Sequence, residues 1–176
     1  MQRRELVRYT LSVAAHGVVR AGAVLGVMGG GLRAAGSFAP ALIASPHART
    51  WLYVTIDVCL TAGLSSVYLP RRQGMSAAGH IGFLLALVGL IAARASAAVT
   101  DANLYPAMAA AIAIGILALA LSEWRARRMA AWIPVAFALS LVAGAVGTFV
   151  AGADTFFVAS GILFGCAFAA MAATAY

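Results

Sequence analysis

Apolar residues run along this chain in six long stretches, near 11–31, 51–69, 77–99, 104–122, 131–151 and 155–175, with short polar breaks between them. About 20 consecutive apolar residues cross the hydrocarbon core of a bilayer as a helix, and hydropathy windows of that length mark such helices. The pattern therefore predicts an all-α fold, a polytopic transmembrane helical bundle of about six spans. Helix-start chemistry falls at several boundaries. Ser45-Pro46 suits an N-cap followed by a first-turn proline, Asp101 and Asp154 offer acceptors where the fourth and sixth spans begin, and Pro106 falls in a first turn.

Composition agrees with lipid as the solvent. Of the 176 residues, 64% are hydrophobic and 10% charged, and the mean hydropathy is +0.97; soluble domains run nearer half apolar and a quarter charged. Six spans consume roughly 120 residues, which leaves short loops and implies one integral membrane domain over 1–176. The net charge of +7 does not point to nucleic acid, because the basic residues flank apolar spans and form no single face. All twelve basic residues are Arg, which with the abundance of Ala suggests a GC-rich genome and a bacterial inner membrane.

Arginine counting orients the chain. Arg3, Arg4, Arg8, Arg71, Arg72, Arg125, Arg127 and Arg128 fall on one set of flanks, Arg33 and Arg49 on the other. Under the positive-inside rule both termini are expected in the cytoplasm. Tyr9, Tyr68, Trp124, Trp132 and Tyr176 would mark the inner interface, Trp51 and Tyr105 the outer. The N-terminus has the charge of a signal peptide, but its apolar stretch is too long and is broken by His16 and Arg20, so a retained first helix is expected. One loop is long, residues 32–50; its Ser37–Ile43 stretch reads either as a short interfacial helix or flap, or as a plain connector. Cys59 and Cys166 lie inside apolar spans as small packing residues.

Helices associate in lipid where small residues let backbones approach. Gly22, Gly26 and Gly30 recur every fourth position on the first span, Ser140, Gly144, Thr148 and Gly152 on the fifth, and Gly161, Gly165, Ala169 and Ala173 on the sixth. Such stripes close the bundle itself or dock a partner membrane subunit, for which Gly22, Gly26 and Gly30 or Gly161 and Gly165 are the candidates.

Ionisable groups inside a span are costly and usually face the bundle interior. His16 and Arg20 share a face of the first span, Asp57 heads a stripe with Thr61 and Ser65 on the second, and His80 and Arg94 share a face of the third. Counting inward from the outer interface puts Asp57 and Arg94 about 8–10 Å deep and Arg20 about 16 Å deep. An Arg20–Asp57–Arg94 cluster, with Thr61 beside it, is the expected arrangement. It serves either to pin three helices in register or to bind an anionic solute against its surplus positive charge. His16 and His80 form a second polar site in the inner half. Opposed histidines can hold a b-type haem, yet with one pair at unequal depth no cofactor is expected, and no metal.

Catalytic patterns are thin. Val158–Gly165 resembles the serine segment of rhomboid intramembrane proteases, with Val158 in place of the leading Gly, but no His follows it. Ser76-Ala77-Ala78-Gly79-His80 resembles a loop of lipid phosphatases whose remaining basic and acidic elements are missing. No enzyme is expected. In size, helix number and orientation the chain resembles the vitamin-binding components of energy-coupling-factor transporters. That likeness implies a small-solute carrier, or the substrate-binding membrane subunit of a transporter. A non-catalytic accessory or assembly subunit of a membrane complex is the alternative.

Overall fold

A computed structural model describes residues 3–99, 105–150 and 154–175, with side chains over 15–93, 106–150 and 154–175. The elements are α1 (Arg3–Gly36), α2 (Ala39–Leu42), α3 (Pro46–Tyr68), a 3-10 turn (Arg72–Gly74), α4 (Ala77–Val99), α5 (Tyr105–Arg125), α6 (Trp132–Phe149) and α7 (Asp154–Ala173). All six expected spans are helices, and the described residues contain no strand. Five of the helices are long and apolar enough to cross a bilayer, and Ala77–Ala93 of α4 is a shorter apolar stretch.

Local chemistry sets several boundaries. Ser45 accepts from Ala48 N–H at 3.4 Å, and Pro46 opens α3. Ser76 accepts from Gly79 N–H at 3.3 Å and so caps α4; the segment that resembles a phosphatase loop is a helix start. Asp154 opens α7 and Pro106 lies in the first turn of α5. Asp101 lies outside the described residues. The long loop is shorter than expected because α1 continues to Gly36; what remains carries the one-turn helix α2.

The apolar surface is turned outward. Val18, Ile81, Val88, Ile91, Val142 and Phe149 are each 60% exposed or more, spread over helices whose span windows are only 28–39% buried. Water would not tolerate such a surface, whereas lipid does. The chain is a multi-pass membrane helical bundle.

Helix order follows where small residues permit close approach. α1 packs along α3 and α7, α7 along α6, α6 along α5, and α5 most extensively along α4; α3 touches α4 and α7 only lightly. A methyl group added at Gly26 would stand 2.6 Å from Gly63 Cα and from Ala172 Cβ; one at Gly30 would stand 2.6 Å from Ala169 N. Gly22 faces Ala62 and Ser66, and Gly165 faces Ala34. The stripes on the first and last spans therefore meet other helices of the same chain. α4 and α5 mesh in the same way, through Gly82, Ala86, Gly89 and Gly115. On α6 and α7, Ser140 Oγ donates to Ser160 C=O at 2.9 Å and Ser160 Oγ donates to Ser140 C=O at 2.8 Å. Ser160, at the rhomboid-like segment, is thus a helix-to-helix clamp. Within this frame Ile56, Leu60 and Leu64 of α3 and Phe83 of α4 share one buried cluster with Ile116 and Leu119 of α5, Phe137 of α6, and Phe164, Phe168 and Met171 of α7.

Candidate functional site

The polar residues singled out from the sequence do not all meet. Cys59 lies opposite Gly29 and Ala62 opposite Gly22, which sets the register of the antiparallel α1–α3 pair. Asp57 then falls level with about Gly31, and Arg20 level with the end of α3. The two are about 16 Å apart along the bundle axis at 1.5 Å per residue. Arg20 and His16 are exposed on α1. The expected mutual packing of spans one, two and three also changes. The third span takes α5 as its close neighbour, because the small residues of α4 match those of α5. Arg94 lies on α4 one turn beyond Leu90, outside the residues whose side chains are described.

Asp57 and Thr61 do come together. With Val54, Val58, Ala62 and Ser65 they form one wall of a groove of about 380 Å³, with Leu90 and Ile91 of α4 forming the other. The groove follows the light contact between α3 and α4 and is open to the bundle surface, where Val58 and Ile91 are both 62% exposed. Thr61 Oγ1 donates to Asp57 C=O and Ser65 Oγ donates to Thr61 C=O, each at 2.8 Å. With their donors spent on the backbone one turn back, these hydroxyls present oxygen lone pairs to the groove, beside a carboxylate. Asp57 is eleven residues from either end of α3, hence about 16 Å from each, deeper than counting from Trp51 implied.

His80, in the first turn of α4, stands edge-on to Tyr68 at 5.7 Å between ring centroids, and Tyr68 stacks on Phe83 at 3.8 Å. The His80 Nδ1 is buried without a hydrogen-bond partner. His80 is half-buried against Tyr68, while His16 is exposed on α1.

A second polar cluster, centred on Glu123, was missed in the sequence. Glu123 is fully buried at the last turn of α5. Its Oε2 lies 3.2 Å from Arg71 Nη1 and its Oε1 3.5 Å from Arg128 Nη1. The Arg71 guanidinium also donates to Thr174 C=O and, at 3.2 Å, to Thr174 Oγ1. Four segments are thereby tied at one end of the bundle: the α3–α4 loop, the end of α5, the α5–α6 loop and the end of α7. Beside them Ser76 and Ser122 hydroxyls pair at 2.8 Å. Burial holds the Arg71 guanidinium below its ordinary range; the Glu123 charge opposes this and the Arg128 charge adds to it. Arginine's range is so high that Arg71 stays charged at any working pH.

The backbone builds this cluster deliberately. Arg128 N–H bonds to Glu123 C=O at 2.9 Å and Arg127 N–H to Trp124 C=O at 2.8 Å, the paired bonds of a Schellman motif. Its left-handed position is held by Arg127, at φ 58°, where glycine is usual. The motif turns the chain so that Arg128 returns over the carboxylate. The available sequence signal was a lone acid in a helix's last turn, where the dipole disfavours it, immediately before an arginine run.

No family model, curated protein or solved structure matches this chain.

Proposed function

We propose that this membrane protein is a small-solute carrier, or the solute-binding membrane subunit of a transporter, and that it takes its solute in the groove between α3 and α4. The observation that carries this reading is the polar stripe Asp57–Thr61–Ser65 lining an open groove midway along a helix. A carboxylate at that depth is costly and is usually retained for ligand or ion handling. The polar residues on this wall favour a small polar solute. For an anionic solute, Arg20 lies at another level, whereas Arg94 lies on α4 one turn beyond the groove-lining Leu90. The reading is one of binding and passage, without catalysis.

Thiol labelling tests it. In a Cys166→Ala background, Cys59 being buried, Thr61→Cys should react with a charged, membrane-impermeant methanethiosulfonate. Val88→Cys, exposed on the outer apolar face, should not. Reaction at Thr61→Cys should be slowed by the solute class that binds, and Asp57→Asn should abolish that protection. Labelling of Thr61→Cys no faster than of Val88→Cys would mean that acyl chains fill the groove, and the reading would be abandoned.

A further inference from the structure

We propose that the arginine-rich end of the bundle binds the phosphate of an anionic lipid headgroup, with Arg128 as the contacting residue and Arg71 behind it. Among the side chains described at this end, Glu123 is the one carboxylate, and it faces two guanidinium groups. One positive charge is left unmatched, before the exposed Arg72, Arg125 and Arg127 are counted. Glu123 is wholly enclosed, so it holds the arginines from beneath and offers nothing outward. Arg71 is largely spent on Glu123 and Thr174. Arg128 is 37% exposed, with one ionic contact from a group that carries five N–H donors.

Arg128 is also held in place. Its Nη2 would lie 2.9 Å from a methyl group added at Gly74, so the guanidinium rests against the 3-10 turn, where glycine leaves room. The backbone that delivers it passes through the left-handed Arg127, a conformation that is sterically costly in a non-glycine residue. A guanidinium fixed this way has already lost the freedom that phosphate binding would otherwise have to remove.

Depth selects lipid as the phosphate's source. Arg128 lies between Trp124 and Trp132, which are 43% and 54% exposed, and exposed tryptophans at span ends sit at headgroup level. The site is at the other end of α3 from Pro46, away from the α3–α4 groove, and does not depend on the solute reading.

Native mass spectrometry of the delipidated full-length protein, titrated with phosphatidylglycerol and with phosphatidylcholine, tests the assignment. The wild type should retain phosphatidylglycerol in preference. Arg128→Gln should bind it about five-fold more weakly, the loss expected for one arginine–headgroup contact, with phosphatidylcholine unaffected. Arg128→Lys should keep most of the preference, and excess inorganic phosphate should not displace the lipid. Equal retention of the two lipids by the wild type would overturn the proposal without any variant. So would an unchanged preference in Arg128→Gln, and displacement by inorganic phosphate would assign the site to a free anion instead.

Discussion

Glu123 is the side chain whose loss should be felt most. It has no contact with water, and its removal leaves Arg71, 15% exposed, and Arg128, 37% exposed, without a counter-charge. At an effective dielectric of about 20, charges 3.2 Å and 3.5 Å apart attract by about 5 kcal/mol each. Distance alone therefore hardly separates the two pairs. Solvent does. Breaking a buried pair from one side costs about 3–5 kcal/mol, and with Arg71 slightly exposed the coupling to Glu123 should fall near 2–3 kcal/mol. The Arg128 pair belongs with partly exposed bridges and should couple by about 0.5–1 kcal/mol. Equilibrium unfolding in mixed micelles of Glu123→Gln, Arg71→Gln, Arg128→Gln and the two double variants yields both couplings by double-mutant cycle. Equal couplings would refute the claim that burial ranks these pairs. An Arg71 coupling below about 0.5 kcal/mol would refute the view that Glu123 ties the helix ends together.

The glycines divide by what faces them. Gly26→Ala should lower stability by about 1–3 kcal/mol, since its methyl would overlap Gly63 and Ala172 backbone-close atoms. Gly17→Ala and Gly31→Ala, with nothing within 4 Å, should be neutral or gain about 0.5–1 kcal/mol from reduced chain entropy; the same unfolding assay ranks all three. Arg127→Gly should stabilise by about 0.5–1 kcal/mol, because glycine removes the steric cost at φ 58°; a loss of stability would show that the Arg127 side chain makes a compensating contact. Ser140→Ala should cost about 0.6 kcal/mol, the mean for interhelical hydrogen bonds in membranes. Ser160→Ala in the same background should then cost less than it does alone, as measured by the double-mutant cycle.

How far the sequence could be read depends on which physical constraint was acting. Span length is imposed by bilayer thickness, so all six helices were legible from apolar run length; Ser45-Pro46 fell where capping chemistry put it, and Pro106 and Asp154 lie in the first described turns of their helices. The Gly22–Gly30 and Gly161–Gly165 stripes were legible as close-approach surfaces for the same kind of reason: a missing side chain is visible in the sequence. Their partners were not. Which stripe meets which depends on the fit of whole helix faces, and that fit pairs α1 with α3 and α4 with α5, leaving a light contact between the second and third spans. Asp57 and Thr61 share a face because they are four residues apart, a local property. Arg20 and Asp57 are on different helices, and the glycine register that places them about 16 Å apart exists only once α1 and α3 have packed. Glu123 was passed over because a carboxylate at the end of a span reads as solvated. What buries it is the convergence of Arg71, Arg128 and Thr174 from distant positions in the chain. Local periodicity and bilayer thickness are written residue by residue in the sequence. Charge pairing across helices and the closure of the bundle are properties of packed surfaces, and the tertiary structure alone decided them.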